Sequence, residues 1–322
     1  MKKTSPVMDR LKSLWPWGII IISIGVGLGL SGYQLVQHVR ALASASELSR
    51  YQKFPALKST DRITIVSPHL DDETLGLGGF VAQARQQGIP VSVIFMTNGD
   101  DFSFGADLEL GTGYPTPQKL LAYGAKRQDE ALAATAKLGI DPKDVYFLGL
   151  PDRGLKVLLD KKDGTSLVTS SGTLENHSPY ARSYVPNLPY SRNALEAALA
   201  KAVNATSPTE VFTTLPDDVH TDHASTAQFV MQISSKLSSA PKLYFFLIHY
   251  PKFPNPKGSD SSYPLLPPDK LKDRQWQVIS LSAEDVDLKT SALELYASQL
   301  MVPFSGKGLR AFVRQNELVL PK

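Results

Sequence analysis

Ile63-Thr64-Ile65-Val66-Ser67-Pro68-His69-Leu70-Asp71-Asp72-Glu73 runs from an apolar stretch straight into one imidazole and three carboxylates, and Gly76-Leu77-Gly78-Gly79 follows. The pattern predicts a buried strand over 63–66, a sharp acidic turn, and a helix over 73–87. Open α/β sheets bind ligands in the crevice outside the carboxyl ends of their strands. The turn is therefore a candidate site. A second strand-like run over 210–214 leads to another cluster, His220-Thr221-Asp222-His223. Neighbouring strand ends would join the two into one mixed His/carboxylate set.

Working outward, strand-like and helix-like segments alternate along most of the chain. Strands are expected over 63–66, 91–97, 145–148, 210–214, 243–249 and 277–281. Helices are expected over 73–87, 119–138, 192–204, 222–238 and 283–300. That rhythm predicts an α/β fold, a mostly parallel sheet with helices on both faces. Two stretches break it, 99–117 and 154–191. Loops of this length in compact domains are usually functional or disordered. Both fall at expected strand ends and read as walls of a substrate site, the second equally well as a passive surface excursion.

The 322 residues are 42% apolar and 20% charged, ordinary values for a chain that buries a substantial core. A net charge of +3 with scattered basic residues gives no nucleic-acid footprint. There is no cysteine, which excludes disulfides, thiolate zinc sites and cysteine nucleophiles. Any metal must be held by His, Asp or Glu.

The N-terminus differs from the rest. Residues 14–36 carry no charge, and Trp15, Trp17 and Tyr33 stand towards the ends of the run. About 20 apolar residues span a bilayer as a helix, with aromatics at the interfaces. The run exceeds a normal signal-peptide core, and Arg40 precedes the small-residue stretch Ala43-Ser44-Ala45, so an uncleaved anchor is expected. Lys2, Lys3, Arg10 and Lys12 on one side against Arg40, Arg50 and Lys53 on the other lean towards a cytoplasmic N-terminus and an extracytoplasmic catalytic domain. The expected division is a flank over 1–13, a single-pass transmembrane anchor over 14–36, a linker over 37–60 and a catalytic domain over 61–322.

His69 and Asp72 lie three residues apart across the turn, and a sharp bend aims both at one point with His223 from the neighbouring strand. Two His and one carboxylate leave open positions, as a catalytic Zn2+ requires, and the same set suits Fe2+. Such a metal acidifies water and polarises a carbonyl, the chemistry of a hydrolase. Asp71 is placed as general base. His220 is placed to stabilise an oxyanion and protonate a departing amine. Glu73 reads either as complement to the helix dipole or as a support behind the metal.

Taken together, Ser67-Pro68-His69-Leu70-Asp71-Asp72-Glu73 with Gly76-x-Gly78-Gly79 resembles the signature of the PIG-L/LmbE family of zinc-dependent de-N-acetylases. The likeness continues through Arg127-Gln128-Asp129-Glu130-Ala131, Leu138-Gly139-Ile140, Leu148-Gly149-Leu150-Pro151-Asp152, His220-x-Asp222-His223 and Lys289 to Gln299. It implies a Rossmann-like fold, with His69, Asp72 and His223 as zinc ligands, Asp71 as base and His220 serving the oxyanion and the leaving amine. By the same resemblance Arg127 and Asp152 match sugar-contacting positions, and Asp222 a partner that orients a histidine. Leu70 departs from the proline of many members. Asp218 stands where some relatives carry an assisting tyrosine.

The expectation is a membrane-anchored, zinc-dependent hydrolase that removes acetyl from an N-acetylated amino sugar or glycoconjugate. Hydrolysis of another N-acyl amide is the nearest alternative. A non-catalytic carbohydrate-binding protein on the same scaffold is the third.

Overall fold

A computed structural model of the protein describes residues 44–322 except 257, 259 and 304. Its elements in chain order are β1 (Gln52–Lys53), β2 (Ile63–Ser67), α1 (Asp72–Gln86), β3 (Val91–Thr97), α2 (Ser103–Leu110), α3 (Pro117–Lys137), β4 (Val145–Leu150), α4 (Leu155–Asp160), α5 (Arg192–Thr206) and β5 (Glu210–Thr214). There follow α6 (Thr221–Ile233), β6 (Lys242–Phe246), β7 (Gln277–Ser280), α7 (Ala283–Leu293), α8 (Ala297–Leu300), α9 (Ser305–Arg310) and β8 (Asn316–Pro321).

The eight strands form one sheet in the order β1-β7-β8-β6-β5-β2-β3-β4. From β4 to β6 the neighbours are parallel, and β8 runs antiparallel to both β6 and β7. The α/β expectation of a mostly parallel sheet therefore holds. The chain winds outward from β2 through β3 to β4, then returns to β2's other side with β5. That reversal between β2 and β5 is the switch point at which doubly wound sheets open a ligand crevice.

Side chains alternate across each strand, so both faces are buried. Ile63, Ile65, Val93 and Phe95 point to a cluster with Leu77, Phe80, Ala131 and Leu293 from α1, α3 and α7. Val66, Ile94 and Met96 point to the opposite cluster, with Leu195, Leu199, Phe229 and Val230 from α5 and α6. The glycines of α1 permit close packing. A Cβ at Gly76 would overlap the Phe246 ring, and one at Gly79 would overlap Leu281.

A buried ion pair fastens α1 from the C-terminal side. Lys289 Nζ on α7 lies 2.7 Å from Glu317 Oε1 on β8, and both side chains are fully buried. The ammonium also donates to the Leu75 carbonyl at 2.8 Å, and Glu317 accepts from the Gly79 and Phe80 amides at 2.8 Å each. The helix that follows the acidic turn is thus held by charges at its middle.

Four features differ from the sequence reading. The linker expected over 37–60 is part of the folded unit from Leu48 onward: β1 pairs with β7, and Phe54 packs against Phe80, Phe212 and Tyr244. The helix expected over 283–300 breaks after Leu293, which buries Tyr296 completely. Strand β8 and helices α2 and α4 were not expected. The excursion 154–191 covers the exposed edge of β4 rather than walling the site; Tyr184 N donates to the Phe147 carbonyl at 2.8 Å and Ser183 bridges Phe147. Among the described residues no helix is long and apolar enough to cross a membrane, and the anchor expected over 14–36 lies outside the described residues.

Candidate active site

Asp71 has φ 140° and ψ −24°, a conformation that L side chains rarely adopt. This bend lets the residues on either side of it turn back on one another. The His69 amide and the His69 Nδ1 both reach Asp72 Oδ2, at 3.0 and 3.2 Å. His223, in the first turn of α6, brings Nε2 to 3.1 Å from the same oxygen. His69 Nδ1 and His223 Nε2 are 3.1 Å apart.

The other ring nitrogens decide the protonation of this triad. His69 Nε2 faces Asp152 Oδ1 at 3.3 Å and Asp222 Oδ2 at 3.5 Å. His223 Nδ1 faces Asp218 Oδ2 at 3.1 Å. Each of those carboxylates can accept from the ring nitrogen it faces, a tautomer that would leave His69 Nδ1 and His223 Nε2 free to meet a cation. In that tautomer His69 Nδ1 and His223 Nε2 would converge with a carboxylate oxygen on one point. Tetrahedral ligands at ~2.0–2.1 Å from a zinc stand roughly 3.3 Å from one another, close to the observed triangle. The surrounding carboxylates make the point attractive to positive charge. Burial alone would lower both rings, yet the carboxylates outweigh it and hold His69 well above its ordinary value and His223 at about 9. The donor set fits a divalent cation.

Asp71 and His220 stand beside this point in one cavity of about 260 Å³, lined also by Phe102, Arg127, Asp152, Arg153, His249 and Gln299. Burial, then the charge of Asp72, pushes the Asp71 carboxyl up to about 8 against the pull of Arg127. The Arg127 amino group is 3.8 Å from Asp71. The same nitrogen donates to the Leu70 carbonyl at 2.8 Å and the other guanidinium nitrogen, Nη1, to the Gly99 carbonyl at 3.0 Å, stapling the turns after β2 and β3 together. Burial and the neighbouring His69, His223 and His249 hold His220 down at about 3, and its buried Nδ1 has no partner.

All eight residues singled out from the sequence gather at this switch point. His69, Asp71, Asp72, Arg127, Asp152 and His220 line the cavity, and His223 and Asp222 lie directly behind it. Asp222 accepts the Arg153 and Leu155 amides at 2.6 and 3.2 Å, which ties the loop after β4 to the first turn of α6.

The sequence reading did not foresee three contributions, and it left Glu73 between two roles. Asp218 orients His223 and also accepts the Ile248 and His249 amides, at 3.2 and 2.9 Å. His249, whose ring centroid is 4.7 Å from that of His223, leaves the end of β6, a strand-end position that pointed to it. Burial and His223 hold it down at about 4. Glu73 is fully buried and receives the Tyr296 hydroxyl at 2.5 Å and the Asp71 amide at 3.2 Å, so it braces the bend. Gln299, Ser305 and Leu309 close the cavity from α8 and α9, where no periodic signal marked them.

A family model described as PIG-L, GlcNAc-PI de-N-acetylase, matches residues 64–234. The match takes in every residue of the triad and the Asp71, Arg127 and Asp152 positions. No curated protein matches the sequence at a significant level. Among solved structures, the A40926 pseudoaglycone deacetylase superposes with a TM-score of 0.52 at 21% identity, over 81% of this chain and 96% of that one. The zinc-inhibited form of teicoplanin deacetylase does so with a TM-score of 0.52 at 19% identity, over 81% and 97%. These likenesses establish a common fold.

Proposed function

The chain belongs to the PIG-L family, and on that premise we propose that it is a metal-dependent hydrolase removing the N-acetyl group from an N-acetylated amino sugar or glycoconjugate. The observation that carries this reading is the convergence of two imidazole nitrogens and one carboxylate oxygen, 3.1–3.2 Å apart, beside the raised carboxyl of Asp71. The family description and the deacetylase names of the two solved relatives point the same way.

A divalent cation, Zn2+ or Fe2+, held by His69, Asp72 and His223 would polarise the acetyl carbonyl and acidify a water. Asp71 takes the proton of that water, its carboxyl kept within reach of neutral pH. His220, neutral and lining the cavity, donates a hydrogen bond to the developing oxyanion. A ring held at about 3 is a poor source of a proton for the amine. Asp71, having gained one, supplies it. Arg127 fixes the Asp71 turn, and with Asp152 borders the space a sugar ring would occupy.

The charge-free run over 14–36 supports a membrane location, with the catalytic domain outside the cytoplasm. Protease accessibility in sealed vesicles tests that orientation. The activity is tested on the full chain in detergent, by metal content measured alongside acetate release from N-acetylglucosamine conjugates. Acetate released with near-stoichiometric metal is the expected result. Release of other acyl groups alone would favour a different N-acyl amide. Bound metal without any turnover would favour a non-catalytic carbohydrate-binding role.

A further inference from the structure

Arg153 lines the catalytic cavity, its side chain is exposed, and its guanidinium has no hydrogen-bond or ion-pair partner among the described residues. Its backbone lies in the left-handed region at φ 59°, where glycine would sit without strain. The turn itself is secured by main chain, through the Arg153 and Leu155 amides on Asp222. The side chain is therefore not needed to form the loop. Nor is it neutralised by the carboxylates alongside it. Asp152 is engaged by the Asp101 amide at 3.0 Å and by His69, and Asp222 by its two amides.

A cavity of about 260 Å³ is at the small end for a ligand site, so it holds a sugar with its acetamide and leaves the remainder of a conjugate at the mouth. Arg153 stands at that mouth. Its planar fork matches an oxyanion in two-pronged fashion. Resting on the deacetylase reading above, we propose that Arg153 recognises an oxyanion on the aglycone of the N-acetylated sugar, and so selects anionic conjugates over neutral ones.

The test compares the metal-loaded full chain with Arg153→Gly, which also relieves the backbone strain, and with the charge reversal Arg153→Glu. Three conjugates are used: a methyl N-acetylglucosaminide, N-acetylglucosamine 1-phosphate, and an N-acetylglucosaminide of glucuronic acid. The wild type is expected to favour an anionic conjugate, chiefly through KM. Arg153→Gly should lose about tenfold more kcat/KM on it than on the methyl glycoside. Arg153→Glu should turn the preference towards the neutral compound. Whichever anionic conjugate loses more identifies phosphate or carboxylate as the group read. Equal losses on neutral and anionic conjugates, or a wild type indifferent to charge, would overturn the proposal. If none is hydrolysed, the deacetylase reading fails, and calorimetric binding of the same compounds decides on Arg153. Anionic binding weakened selectively in Arg153→Gly sustains its role, and unchanged binding ends it.

Discussion

His69 Nδ1 and His223 Nε2 face each other at 3.1 Å, and each ring turns its other nitrogen to a carboxylate at its far side. Two ring nitrogens so placed beside one carboxylate oxygen would suit a shared cation. Each residue around that point has a distinct loss when removed.

Asp72→Asn and His223→Ala each take away a ligand, so metal content and turnover should fall together. Asp71→Asn leaves all three ligands and should keep the metal while losing about 10²–10⁴-fold in turnover, the usual range for a general base. Metal stoichiometry and turnover on the same purified variants check this. Metal lost from Asp71→Asn and kept by Asp72→Asn would reverse the assignment.

Tyr296→Phe removes a hydroxyl that donates to the buried Glu73 at 2.5 Å. A buried acceptor left short of a partner costs about 1–3 kcal/mol. The variant should unfold at lower denaturant and lose turnover with its metal intact, since Glu73 also accepts the Asp71 amide. An unchanged denaturation midpoint would show that the pair contributes nothing.

Lys289→Met breaks the fully buried pair with Glu317 and leaves the carboxylate without its counter-charge. Removing one partner of such a pair costs about 3–5 kcal/mol. The drop should appear in chemical denaturation of the full chain in detergent. A loss below about 1 kcal/mol would mean that the two amides on Glu317 suffice.

Asp100 gives a pH signature. Burial, then the charge of Asp152, pushes its carboxyl from 3.8 up to about 7, although the Tyr180 hydroxyl donates to it. Its second oxygen is buried without a partner and can carry the proton. Between about 4 and 7 the unfolded chain has released this proton and the folded chain retains it. Stability from this group therefore falls as pH rises through that window. Asp100→Asn should lack that fall, so the wild-type melting temperature minus that of the variant should decline from pH 4 to 7 and level off above. A constant difference would mean that Asp100 is ionised throughout.

The strand ends at Ser67 and Thr214 were legible because each apolar run gives way abruptly to His and Asp, and the switch-point geometry then joins them. Asp72, His69 and His223 could be read from local spacing. Asp218 could not, since its bond to His223 depends on how the chain returns from β5 to α6. Strand β8 was hidden by its own chemistry. Asn316 and Glu317 look like solvent-facing residues and are buried only because Asn316 bonds the Leu265 backbone and Glu317 meets Lys289. Tyr296 was likewise absorbed into an expected continuous helix, and only the break after Leu293 sends it down to Glu73.

Strand β8 comes after every other strand in chain order, yet it alone joins the β1–β7 pair to the rest of the sheet. During synthesis, His69, Asp72 and His223 all emerge long before Glu317 does. A nascent chain can therefore hold each chemical group of the centre while the helix behind Asp71 still lacks its fastening. Completion of the sheet and fastening of that helix therefore coincide, as one late event.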